Sequence, residues 1–301
     1  MNNKSKTAAG IILSLLGAIF WGFSGSCGQY LFTYHGVDSK WIVTIRMILT
    51  GIILLAVSFV KHKTKIVGVW KGKRNFVRMT AFTVFGLILC QYSYFTAIAH
   101  SNAGTATVLQ YLSPVMILVF VCLKNKMLPV FAEIIAIFLA VGGTFVIATG
   151  GDIGSFAIST PALLWGLASA VFLACYSLIP APLLKEFDTP TILGWGTLAG
   201  GFVLLPVFRP WEIMPEISFS LIAALSGIVI FGTVLAYTFY LEGINLIGPT
   251  KASIVSSIEP VSATVISALW LGTEFSSADI IGFIMIMSTI FITTFVNKKS
   301  S

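Results

Sequence analysis

Charge is what this sequence has least of. Only 10% of its 301 residues are Asp, Glu, Lys or Arg, while 57% are hydrophobic. A soluble domain carries roughly 25% charged residues. A chain this poor in charge cannot cover its surface against water, so the bilayer is its expected solvent. No stretch is both long and polar enough to form a domain outside the membrane. Cysteine is also sparse. Cys27, Cys90, Cys122 and Cys175 all lie in apolar stretches and form no C-x-x-C pair, which excludes a disulfide framework or a zinc site. They are read as small buried hydrophobes. Histidine is limited to His35, His62 and His100, in loops or at helix ends. No G-x-x-x-x-G-K-[ST] loop is present, which argues against ATP drive. No metal and no cofactor are expected.

What the sequence does have is long apolar runs. A spanning helix needs about 20 mostly apolar residues. Ten such runs lie at 8–33, 40–60, 78–99, 103–123, 128–149, 160–183, 189–208, 217–240, 250–271 and 277–297. The first is too long and too rich in aromatics for a cleaved signal peptide. Several connections are only a few residues long, so neighbouring helices are antiparallel. With the N-terminus set inside, the lysines and arginines fall almost entirely on the inner side. They run from Lys4 and Lys6, through the 61–78 loop, to Lys298 and Lys299. Lys40 and Arg209 remain outside and Arg46 lies within helix 2. This asymmetry accounts for the net charge of +7. The basic loop is read as positive-inside topology with some attraction to anionic lipid, not as a nucleic-acid patch.

The chain repeats itself. "NAGTATVLQYLSPV" (102–115) aligns with "GPTKASIVSSIEPV" (248–261), placing Pro114 on Pro260, Gln110 on Ser256 and Tyr94 on Tyr240. "EIIAIF" (133–138) falls on "DIIGFI" (279–284) in the same register. "DSKWIVTIRMILTGIILL" (38–55) matches "DTPTILGWGTLAGGFVLL" (188–205), and Trp21 pairs with Trp165. Each half therefore holds five helices. Five is odd, so the second half enters the membrane from the opposite side. The expected fold is all-α and integral to the membrane, with ten transmembrane helices as two five-helix inverted repeats, 8–149 and 160–297. Such repeats mark transporters, with a site near the midplane where the halves meet.

These residues resemble the EamA-type proteins of the drug/metabolite transporter superfamily, and a bacterial inner-membrane subgroup of that family in particular. The resemblance covers about the whole chain. It rests on "WGFSG" (21–25), Arg46, "NAGTATVLQYLSP" (102–114), the second "WG" (165–166) and "YLEGINLIGPTKASIVSSIEPV" (240–261). The family's frequent acidic residue after helix 4 is missing from "LKNKMLP" (123–129), while Glu274 matches its second-half counterpart. The resemblance implies a multi-pass protein of the bacterial inner membrane. It further implies export or exchange of small metabolites, such as amino acids, through a central cavity lined by both repeats. It names no single substrate.

Candidate cavity residues follow from the repeat. The small faces of helices 4 and 9 carry Gln110 and Ser113 on one side and Ser253 and Ser256 on the other, with helix kinks at Pro114 and Pro260. Close helix packing and cavity lining are both open for these faces. Trp21 and Trp165 are interface anchors or cavity aromatics. Tyr94, Tyr111, Tyr237 and Tyr240 are weaker candidates of the same kind. Arg46 lies roughly 9 Å inside helix 2. It either snorkels to the interface or meets an anionic substrate group or Glu259. Glu259, roughly 13 Å from the inner face, is near the midplane of about 30 Å of hydrocarbon. There it must face protein or water. It is either a structural carboxyl bonded to a neighbouring helix or the group through which protons couple to transport. Pro260 frees the carbonyl near Ser256, so carboxyl and carbonyl together form a polar notch. The glycines of helix 1 (Gly22, Gly25, Gly28) serve packing. "GFSG" also fits an intramembrane serine protease, but no histidine lies at membrane depth to take the serine proton. A transporter using alternating access is the preferred reading. An integral-membrane enzyme and a channel or scramblase are the alternatives. Its partners are then a small-molecule substrate, membrane lipid and, as a candidate, the proton, with no nucleic acid.

The inverted repeat makes a topological prediction. Single cysteines at Asp152 and Glu216 should both react with an impermeant thiol reagent from outside the cell. Labelling of either only from the cytoplasm would overturn the orientation.

Overall fold

The computed structural model describes residues 3–297 except 127, 151, 153–156, 181, 248–251, 253–254 and 257. Among the described residues there is no strand. Helix α1 spans Asn3–His35 and α2 spans Ser39–His62, followed by a short 3-10 segment. Helix α3 spans Lys73–His100. Helix α4 comes in two pieces, Ala103–Gln110 and Ser113–Asn125. Then follow α5 (Phe131–Thr149), α6 (Thr160–Leu178), α7 (Thr189–Phe208) and α8 (Phe219–Ile247). The last two are α9 (Ile258–Leu271), with helical Ala252, Val255 and Ser256 ahead of it, and α10 (Ser277–Asn297). Six of these, α1, α2, α3, α6, α7 and α8, are long and apolar enough to cross a membrane on their own. Helices α1 and α8 run further than their apolar cores suggest, since caps and amphipathic ends extend a helix beyond its oily stretch.

Local chemistry sets the starts. The Asn102 side chain accepts from the Thr105 amide, Ser159 from Ala162 and Ser218 from Leu221, so three helices begin on polar N-caps. The break in α4 falls at Tyr111–Leu112, and Pro114 sits in the first turn of the second piece, where its missing amide costs nothing.

The packing keeps the order of the repeat. Helix α2 runs along α7, and α5 along α10. Helix α1 packs on α8 and α9, and α6 packs on α3 and α4. Exchanging the two halves maps each of these pairings onto another or onto itself. The α2–α7 crossing lies on the pseudo-two-fold axis. A Cβ added at Gly51 would stand 2.6 Å from the Leu198 backbone nitrogen, and one at Gly201 would stand 3.0 Å from that of Ile48. In the register of the repeat these are the same contact made twice. Both α3 and α8 also contain a π-helical stretch, Phe82–Ile88 and Gly227–Leu235, at repeat-related positions. Such wide turns recur at functional sites, and apolar periodicity carries no sign of them.

The crossing predicts that Gly51→Ala loses ~1–3 kcal/mol and lowers the thermal midpoint of the detergent-purified protein. Gly142→Ala is the control, because its Cβ meets only the mobile end of Met285. Equal midpoints for the two variants would contradict a close backbone crossing at Gly51.

Candidate functional site

The polar notch anticipated in the 256–263 stretch is built, and its donor comes from the other repeat. Pro260 has no amide to offer the Ser256 carbonyl. The Tyr111 hydroxyl, at the break in α4, donates to that carbonyl at 2.5 Å and stands 2.9 Å from Glu259 Oε2. Glu259 is only 5% exposed. Its own carbonyl accepts from the Ser262 hydroxyl at 2.8 Å. Helix α1 closes the notch through Gly22, where a Cβ would come within 2.7 Å of the Ala263 nitrogen and 3.0 Å of the Glu259 backbone carbonyl oxygen. The glycines of α1 therefore pack closely. Gly25 lies against the Tyr94 hydroxyl and Gly28 against Phe95.

Arg46 does not reach the surface. It is 3% exposed, and its Nη2 donates to Thr233 Oγ1 at 2.8 Å. Thr233 passes its own proton to the Ile228 carbonyl, five residues back, within the π-helical stretch of α8. The guanidinium carbon lies 4.7 Å from the centre of the Phe95 ring, a cation–π contact. Nε has no acceptor. Arg46 and Glu259 form no ion pair, and the ion pair seen among the described residues is Arg209–Glu212. Thr107 donates to the Ala103 carbonyl, so the Tyr94 hydroxyl, 2.8 Å away, is the donor to Thr107.

The repeat makes the asymmetry plain. The register that puts residue 38 on 188 puts Arg46 on Gly196, and the register that puts Tyr94 on Tyr240 puts Leu87 on Thr233. Gly196 does lie against Leu87. The same helix contact is thus charged and polar in one half and apolar in the other. Likewise Ser113 occupies the place that corresponds to Glu259.

An aromatic group lies around this centre. The Trp21 ring is 5.5 Å from Tyr237 and 4.9 Å from Tyr240, and Tyr176 is 5.3 Å from Tyr237. The Trp21 indole N–H, the Tyr176 hydroxyl and both ends of the Gln91 amide are buried without a partner. Trp165 stands apart, 5.3 Å from Tyr92 on α3. Of the remaining candidates, Gln110 is buried with its amide 3.9 Å from the Cys90 sulfur, a weak contact. Ser113 is buried, and Ser256 Oγ reaches the Ser14 carbonyl only at 3.5 Å. Ser253 and the side chain of Pro114 lie outside the described residues.

Sequence reasoning missed Thr233, Phe95, Gln91 and Tyr176. Gln91 carried a usable signal, an amide inside an apolar helix. So did Gln29, whose Nε2 donates to Thr273 and whose Oε1 accepts from the Ala103 amide, tying α1 to both repeats. The arrangement can hold an anionic group at the free face of Arg46, pack an apolar group on the aromatics and exchange a proton at Glu259. Among the described residues no cluster of His, Cys, Asp and Glu could hold a metal ion.

Comparison with known proteins agrees with this architecture. The EamA-like transporter family model matches residues 8–149 and again 160–295. The chain is 36% identical to an uncharacterized inner membrane transporter, YicL, of Salmonella typhimurium strain LT2 over 97% of both chains. It is 23% identical to an uncharacterized transporter, YyaM, of Bacillus subtilis strain 168, over 92% of this chain and 91% of that one. A solved crystal structure at 18% identity superposes over 99% of both chains with a TM-score of 0.63, a likeness of fold alone. Two family matches in tandem, spanning nearly all of the sequence, show that the chain belongs to the EamA-like transporter family.

Proposed function

We propose that this inner-membrane transporter exports small zwitterionic metabolites of the amino-acid type by alternating access, with both termini in the cytoplasm. The observation that carries the reading is Arg46, a guanidinium that is 3% exposed, has no carboxylate partner among the described residues and keeps Nε without an acceptor. A buried cation without a counter-charge is costly. A substrate carboxylate supplies that charge, and the planar fork of arginine suits it. The faces of Trp21, Tyr237 and Tyr240 offer apolar surface for the rest of the molecule. Glu259 is the group through which a proton exchanges for substrate, since burial in a dry site favours the neutral form of a carboxyl and opening to water favours the charged one. The wide turns in α3 and α8 are the hinges on which the two halves rock.

Proteoliposomes loaded with a radiolabelled amino-acid mixture test this. Arg46→Lys keeps the charge but loses the fork, and transport should fall at least ~10-fold, the worth of a charge-assisted hydrogen bond. Wild-type rates at equal protein content would remove Arg46 from substrate binding. In the same vesicles Glu259→Gln should keep exchange of substrate for substrate and lose accumulation driven by a pH gradient. A Gln variant that still concentrates substrate would show that Glu259 is not the coupling group.

A further inference from the structure

The hydroxyl of Tyr111 has one proton and two oxygen neighbours. One is the Ser256 carbonyl at 2.5 Å, and the other is Glu259 Oε2 at 2.9 Å. Two oxygens at 2.5 Å need a proton between them, and a carbonyl has none to give, so the tyrosine proton lies toward Ser256. The second contact is then between the Tyr111 oxygen, as acceptor, and the carboxyl. It is a hydrogen bond only when Glu259 carries a proton and donates it. The ionisable groups around Glu259 do not disturb this count. Among the described residues they are Tyr111 on α4, Tyr94 and Cys90 on α3, and Tyr237 and Tyr240 on α8. With ordinary values of about 10 and about 8.5, all are neutral at neutral pH. Helix α1 meets the Glu259 backbone through Gly22, and among the described residues the buried cation Arg46 is turned to Thr233.

The geometry points to Tyr111 as the residue that turns the proton on Glu259 into a change of helix packing. With Glu259 protonated, the bonds run in sequence from carboxyl to Tyr111 to the Ser256 carbonyl, and α4 is fastened to α9 across the two repeats. When Glu259 gives up its proton, the carboxylate is the stronger acceptor and takes the tyrosine proton. The Ser256 carbonyl, which Pro260 leaves without a helix donor, then loses its partner. As the proton leaves, the link between α4 and α9 passes from the Ser256 carbonyl to the Glu259 carboxylate, two bonds become one, and the kinked turn at Ser256 is released. The inference rests on Glu259 as the coupling group and adds the side chain that transmits its state. Tyr111 is well placed for this because it sits at the break in α4, between its two helical pieces.

Hydrogen exchange of the purified protein, with no substrate present and corrected for the intrinsic pH dependence, tests the inference in residues 103–112 and 258–271. In the wild type, protection of these segments should shift by up to about fivefold, the worth of one net hydrogen bond, in a single step as pH rises through the titration of Glu259, because two neutral bonds are exchanged for one charge-assisted bond. Glu259→Gln should remain at the acid level throughout, because its amide donates to the Tyr111 oxygen as the protonated acid does. Tyr111→Phe, which makes neither bond, should show no step at any pH. A step that persists in Tyr111→Phe while Glu259→Gln abolishes it would leave Glu259 as the titrating group and overturn the role of Tyr111. A step that persists in Glu259→Gln would overturn the coupling reading itself. Should Tyr111→Phe fail to fold, the wild type still decides, since a flat profile there overturns the inference.

Discussion

Two glycine contacts fix how the halves of this molecule meet. Gly51 on Leu198 and Gly201 on Ile48 bring the backbones of α2 and α7 together at the pseudo-two-fold axis. No side chain larger than hydrogen fits there without moving main chain, so the crossing is set by backbone shape and not by side chains that can repack. The other pairings are arranged symmetrically about it: α1 on α8 and α9, its mirror α6 on α3 and α4, and α5 on α10. A membrane protein gains little from hydrophobic attraction between helices, because lipid tails are as apolar as leucine. Close van der Waals contact of this kind is what holds the halves in register.

On that symmetric frame the chemistry is asymmetric. Where one half has Arg46 bonded to Thr233 in a π-helical turn, the other has Gly196 against Leu87. Where one half has Glu259, the other has Ser113. The uncharged member of each pair keeps the helix contact without a charge. The polar member makes the contact responsive to a charge that comes and goes. A carrier needs both: two related arrangements of nearly equal energy, and a ligand that binds them unequally. In the function proposed above, the duplicated fold supplies the first, and the unmatched Arg46 and Glu259 supply the second.

Much of the fold was legible in the sequence because its causes are local or repetitive. Apolar runs of spanning length set the helices, and self-comparison across an offset of about half the chain set their grouping. The carbonyl at Ser256 was legible too, since Pro260 leaves it without a donor by covalent structure alone. The identity of the donor was not, because Tyr111 lies 145 positions away. The same holds for Arg46, whose partner Thr233 is 187 positions distant. The wide turns in α3 and α8 left no mark either. An extra backbone residue per turn changes the hydrogen-bond ladder but not the apolar character of the segment. Packing explains the glycines of α1 and asymmetry explains Arg46, but only the folded chain distinguishes which residue serves which end.

The central claim is that this protein is a carrier with one site exposed in turn to either side, and counterflow tests it most directly. Vesicles are preloaded with unlabelled amino acids, diluted into a trace of the labelled mixture, and followed with the pH equal on both sides. A carrier returns occupied from the loaded side and captures label in exchange, so internal label should rise above its equilibrium level and then decay. Label that climbs monotonically to equilibrium, whatever the preload, would mean an open path through the protein and would contradict the account.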